Sequence, residues 1–345
     1  MDKLEETDFT CAHSRLVFHS SFKNTISELS DLEVKLPSIS SDLEINFNLY
    51  DYPQNGRLVS KVEEIQRFQL NPKNGEELCN GLFICAYDES VNRFQGLEGT
   101  AYLTSHSLIL HGPNDFFASN LLTLYFYTRS KILSQNTKYI KYSEDPESDW
   151  KRDYVIDREH FLISNVPGNS VVFIDGPLIG GQMSTHTIEL NDSLLKNETI
   201  PIFFVKNSDS NLVTDNIEEL RGKFNSDMHW AYRYLKKGER TNLFRYVDKY
   251  NDRNAKIFCY MKAFDTSPQR IEIDIRTFQK YSDIIVALFD LIYYLLLVQG
   301  DLKNPQIRSI AIAEKYARST LNLINFVQTM KNLGIIPSMN QERFA

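Results

Sequence analysis

The segment Val171-Val172-Phe173-Ile174-Asp175-Gly176-Pro177-Leu178-Ile179 constrains this chain more than any other. An unbroken run of β-branched and aromatic residues predicts a buried strand. The run delivers a single carboxylate, Asp175, and the Gly-Pro pair behind it stops the ladder, since proline has no N–H to donate. A second strand of this kind, Leu82-Phe83-Ile84-Cys85-Ala86-Tyr87-Asp88, also ends in an acid. A carboxylate at the end of a buried strand is costly to desolvate unless it is paired, hydrogen-bonded or bound to a cation. Between the two strands lies Glu159, in a segment that reads as a helix over 148–165.

Three carboxylates on two strands and a helix suggest a divalent-metal site. Glu159 precedes Asp175 by sixteen residues, so a helix, a turn at Pro167-Gly168-Asn169 and the strand bring it back toward Asp175. Hard oxygen donors suit Mg²⁺ or Mn²⁺, and such ions assist attack of water on a phosphodiester. Strand-end acids also serve as turn formers and helix caps, so the spacing alone leaves both readings open. Lys206 ends the strand IPIFFVK and could neutralise a scissile phosphate or hold one of the acids.

The rest of the chain suits a mixed sheet with helices on its faces. Residues 82–95 read as a strand, a turn near Glu89-Ser90 and a return strand. Residues 99–111 alternate as a strand or hairpin, and 116–133 have ambiguous period. Residues 170–175 and 200–206 are strands, and TDNIEELRGKFNSDMHWAYRYLKK has helical character. KIFCYMKAF and QRIEIDI make an antiparallel pair, on which Arg270 and Glu272 could pair across the sheet. Two helices, about 282–299 and 306–333, close the chain. The expected division is an irregular N-terminal extension over 1–78, with one short helix in VSKVEEIQRFQ, a main domain over 79–335 and a tail over 336–345.

Composition narrows the functional classes. The formal charge of −7 argues against affinity for nucleic acid over the whole surface, but not against a local basic groove. Two segments, 125–142 and 229–253, mix Lys and Arg with aromatic rings, as a strand-guiding surface would. The four cysteines show neither CxxC nor zinc-finger spacing, which suits a reducing cytoplasm. The apolar run Ile284–Val298 is shorter than the roughly 20 residues of a membrane span and carries Asp290 at its middle, so it reads as a helix of a core or a subunit interface. No nucleophile elbow, Walker A run or dinucleotide fingerprint occurs.

The order of motifs resembles the NurA nuclease family. ICAYDES (Asp88), DREHFL (Glu159), VVFIDGPLI (Asp175), IFFVKNS (Lys206) and the later Arg-x-Glu strand follow that family's sequence of elements over roughly residues 80–320. The resemblance implies an RNase H-like α/β core, a homodimer, Mn²⁺-dependent cleavage of DNA and partnership with a HerA-type hexameric ATPase, in DNA-end processing or destruction of phage DNA. It implies Asp88, Glu159 and Asp175 as metal ligands and Lys206 near the phosphate. Two departures stand out. Glu89 occupies the place of the family's glycine, where it could crowd the metal or add a ligand. The family's histidine in the C-terminal helix is missing, and Glu314 in IAIAEKYARS could stand in its place. Those departures motivate an alternative, a catalytically weak subunit that binds DNA or the ATPase.

Overall fold

The computed structural model describes residues 57–338, apart from 112–115, 136–137, 181–183, 218, 249–250, 301 and 303–304. The sequence expectations for residues 1–56 and 339–345 therefore lie outside the described residues. Its core is one large mixed sheet. The strands β3 (Phe83–Gln95), β4 (Thr100–His111) and β5 (Phe116–Thr128) form an antiparallel meander. The strands β7 (Ser170–Asp175) and β8 (Ile200–Val205) then run parallel to β3, with Tyr87 opposite Ile174 and Asp175 opposite Phe204. The resulting order β5-β4-β3-β7-β8 is the RNase H-like arrangement.

Beyond β8 the sheet continues antiparallel through β12 (Gln269–Asp274), β11 (Asn251–Lys262), β10 (Phe244–Asp248) and β1 (Arg57–Lys61). Three short strands complete it: β2 (Phe68–Gln69), β6 (Ile140–Tyr142) and β9 (Glu239–Arg240). Residues 57–61 and 68–69 thus form strands of the main sheet, and the expected short helix does not form between them.

Helices cover both faces. On one lie α3 (Pro146–Asn165) and α4 (Ser184–Lys196). Asp145 caps α3 by accepting from Ser148 N, Pro146 opens its first turn, and Glu147 and Asp149 complement its dipole. Phe161 and Leu162 of α3 and Leu190 and Leu194 of α4 pack on Cys85, Tyr87, Val172 and Ile174. On the other face lie α7 (Ile285–Gln299) and α8 (Arg308–Leu321), packed on Ile84, Ala86, Val171 and Phe173. Side chains along a strand alternate between faces, so each central strand sends alternate residues to the two helical layers.

The structure corrects several boundaries. There is no turn at Glu89-Ser90, because β3 pairs with β4 without a break from Ile84 to Gln95. The ambiguous segment after residue 115 is the strand β5. Of the long helical segment expected around 214–237, only α5 (Asp227–Tyr234) forms. Its first residue, buried Asp227, accepts hydrogen bonds from Val213 N and Thr214 N and ties the preceding chain into a loop. The last expected helix divides into α8 and α9 (Phe326–Asn332), with Asn325 capping the second piece.

Candidate metal centre

Asp88 follows Ile84 and Ala86 on β3, and Asp175 follows Val171 and Phe173 on β7. Strand alternation therefore turns both carboxylates toward α8. Gly176, at φ +105°, takes the chain away from β7 in a conformation L side chains rarely adopt, and its N–H donates to Phe204 O at 2.8 Å. That bond fixes the end of β7 against the end of β8, where Lys206 begins the next loop. Helix α8 lies across β3, β4 and β7. Its Ala313 and Ala317 are fully buried, and so are Ser105 and Ser107 of β4. Ser107 is the direct partner of Asp88, so it shares its face. Small side chains on both surfaces let the helix sit low, and this brings Glu314 to Asp88 and the end of β7.

Asp88, Asp175 and Glu314 each offer one carboxylate oxygen, and all three oxygens lie within 4.8 Å of one another. Lys206 Nζ borders the group, 2.6 Å from Asp175 Oδ2 and 3.2 Å from Glu314 Oε2. Arg318 Nη2 lies 2.6 Å from Glu314 Oε1 on the solvent side. Asp88 is 8 % exposed. Burial, reinforced by the charges of Asp175 and Glu314, pushes its carboxyl up to about 7 against the pull of the Glu89 N–H and Lys206. Burial also acts to raise Glu314, but Lys206 and Arg318 outweigh it and hold that carboxyl below its ordinary value. Desolvation alone would lower Lys206, yet Asp175 and Glu314 hold it protonated above its usual range. The group is thus short of positive charge at Asp88, and its donors are hard oxygens. Both properties fit a divalent cation.

Of the four residues singled out in sequence, Asp88, Asp175 and Lys206 come together and Glu159 does not. Glu159 sits on α3, which covers the opposite face of the sheet, and its Oε1 accepts from Ser193 Oγ of α4 at 2.9 Å. The strand layer separates it from the two aspartates. Glu314 takes the third place, as the missing C-terminal histidine had hinted. Glu89, next to Asp88, alternates to the α3 face and accepts from Tyr87 Oη at 2.6 Å. It neither crowds the carboxylate cluster nor joins it.

The aromatic, basic segments also read differently in three dimensions. Tyr125 and Tyr127 are buried and donate to Asp157 and Asp153 of α3, and Lys141 pairs with Asp153. Trp230 and Tyr234 are core residues, and Arg240 is buried against Glu63. These rings stabilise helix–sheet contacts, whereas Tyr139, Tyr142 and Tyr232 of the same segments stay exposed.

Residues 161–319 match the NurA domain family. The crystal structure of the NurA nuclease from Sulfolobus solfataricus superposes with a TM-score of 0.51 at 10 % identity, covering 90 % of this chain and 95 % of that one. Residues 161–319 thus carry a NurA-like domain. Endonuclease V from Ciona intestinalis, in complex with inosine-containing DNA, superposes with a TM-score of 0.37 at 12 % identity over 74 % of this chain and 95 % of that one. No curated protein sequence matches the chain. The NurA domain match takes in Asp175, Lys206 and Glu314, while Asp88 lies ahead of it on β3. No helix among the described residues is long and apolar enough to cross a membrane.

Proposed function

We propose that this NurA-like protein is a metal-dependent deoxyribonuclease in which Asp88, Asp175 and Glu314 hold the cation and Lys206 faces the phosphate. The observation that supports this most is the meeting of three carboxylates from β3, β7 and α8 beside one half-buried lysine. A bound Mn²⁺ or Mg²⁺ supplies Lewis acidity toward the phosphodiester and lowers the pKa of water. The chain does the rest. The sheet holds Asp88 and Asp175 at fixed separation, which lowers the reorganisation needed during reaction. Glu314, held by Lys206 and Arg318, closes the ligand set from the helix side. Lys206 offers an ammonium group that can neutralise a non-bridging phosphate oxygen once the acids are satisfied otherwise.

DNA as substrate, a HerA-type ATPase as partner, a homodimeric assembly and a cytoplasmic location complete the reading. The rival reading of a weak or inactive subunit rested on Glu89 and on the absent histidine. It loses support with Glu89 turned away and Glu314 at the site.

The test is a Mn²⁺-dependent nuclease assay on DNA. Asp175→Asn and Glu314→Gln are each expected to lower turnover on the order of 100-fold, the size found when one charge-stabilising group is removed. Glu159→Gln is expected to stay within about threefold of wild type, as a hydrogen-bonded residue on the far face should. Full activity in Asp175→Asn would overturn the assignment.

A further inference from the structure

Glu272 is completely buried on β12, and such a carboxylate survives only with strong partners. It has three. Lys256 Nζ of β11 lies 2.6 Å from its Oε1, and Arg270 Nε lies 2.7 Å from the same oxygen as an ion pair without hydrogen-bond alignment. Its Oε2 accepts from the backbone N–H of Leu178 at 2.9 Å. Burial acts to raise its pKa, but the two cations and the Leu178 N–H outweigh this and hold it ionised.

The partners lead to the metal centre from two directions. Leu178 stands three residues after Asp175, with only Gly176 and the rigid Pro177 between. It is fully buried beneath the α3–α4 layer, and Lys256 Nζ also donates to the next carbonyl, Ile179 O, at 3.3 Å. Arg270 reaches the other strand end. Its Nη1 donates to Ser208 Oγ at 2.8 Å and to Ser210 Oγ, in the loop that begins at Lys206. One buried ion cluster thus grips the chain just after Asp175 and just after Lys206. Both grips lie on the face opposite the carboxylates, so none of these groups can touch a cation held there.

We infer that Glu272 is a positioning residue: through its bond to the Leu178 N–H it sets where Asp175 stands, and so sets the affinity of the carboxylate cluster for its cation. The inference rests on the metal-site reading above. Removing Glu272 alone would leave two buried cations unpaired, a penalty unrelated to positioning. The informative comparison is therefore between two double variants of the full chain with the same charge, in both of which Arg270 loses its acid partner equally. Lys256→Met with Glu272→Gln keeps an oxygen for Leu178 N–H, whereas Lys256→Met with Glu272→Leu removes it.

Calorimetric titration of Mn²⁺ without DNA is expected to give a Kd within about threefold of wild type for the first. The second is expected to bind at least about tenfold more weakly, the range for lost outer-sphere support. Equal affinity in the two would overturn the inference. If the leucine variant does not fold, Glu272→Asp serves instead: it keeps the charge and withdraws the carboxylate by one methylene from Leu178. A weakening of about fivefold or more is then expected, and wild-type affinity would overturn the inference. A wild-type chain whose Mn²⁺ binding is absent, or unchanged by Asp175→Asn, would instead overturn the metal site itself.

Discussion

Asp88 shows how one side chain couples folding to the site. Its carboxyl in the folded chain lies near 7, above the ordinary value of 3.8. Between about pH 4 and 7 the native state keeps a proton that the unfolded chain has released. Stability without divalent cations must therefore fall as pH rises through that window. Asp88→Asn cannot ionise, so in EDTA it should be more stable than wild type at pH 8 by about 1–3 kcal/mol. The gap should close toward pH 4, as urea denaturation at several pH values would reveal. Adding Mn²⁺ at pH 8 should reverse the order, because only the wild-type site gains the full stabilisation of a bound ligand. Asp88 was recognisable in sequence as an acid closing an apolar run, although β3 continues past it to Gln95. Its burial beneath α8 was not, because that helix begins more than two hundred residues later.

At the scale of elements, the helix α7 resolves an oddity of the sequence. Asp290 interrupts an otherwise apolar run. It accepts from Asn71 N at 2.8 Å and from Asn74 Nδ2 at 3.2 Å, at the N-terminus of α1 (Pro72–Cys79). The acid thus takes the backbone N–H of the N-cap, which the helix leaves free, and one side-chain amide of the first turn. Gly75 makes the crossing possible: a Cβ there would stand 2.2 Å from Asp290 O and 2.8 Å from Leu291 N, both backbone atoms that cannot yield cheaply. Gly75→Ala should therefore destabilise the fold by about 2 kcal/mol or more, despite alanine's better helix propensity. Thermal denaturation of the variant checks this, and an unchanged or raised melting temperature would refute the close crossing. The apolar length of α7 was plain from sequence. What covers it was not, since α1 and the sheet reach it from distant segments.

At the scale of the whole molecule, α7 no longer argues for an oligomer by itself. Most of its apolar residues lie in the core of this one chain, with Val286, Leu297 and Val298 among those left exposed. The expectation of a homodimer now rests on the resemblance to the NurA family. It predicts twice the chain mass in light scattering at micromolar concentration, and a monomer there would remove the dimer from the reading. The mixed sheet with helices on both faces was legible from the alternation of strand and helix patterns. The eastward extension of that sheet through β12, β11, β10 and β1 was only partly so: KIFCYMKAF and QRIEIDI announced one pair, but residues 57–69 carried a misleading helical rhythm. Short edge strands take their conformation from the neighbour they pair with, so local pattern under-determines them.

The sequence by itself determined the apolar runs that lead into Asp88 and Asp175, the lysine at the end of the third, and the resemblance of their order to NurA motifs; that β3 runs on past Asp88 to Gln95 it did not. Local chemistry suffices there, because a buried strand, a Gly-Pro stop and a terminal carboxylate all lie within a few residues of one another. Only the tertiary structure brings a third acid, Glu314, beside Asp88 and Asp175. Glu159 and Glu314 are both helical acids of suitable kind. The face on which each helix packs separates them, and that choice is made by alternate side chains on strands distant in the chain. The same holds for Glu272, whose buried charge gains its meaning from a loop that sequence distance hides.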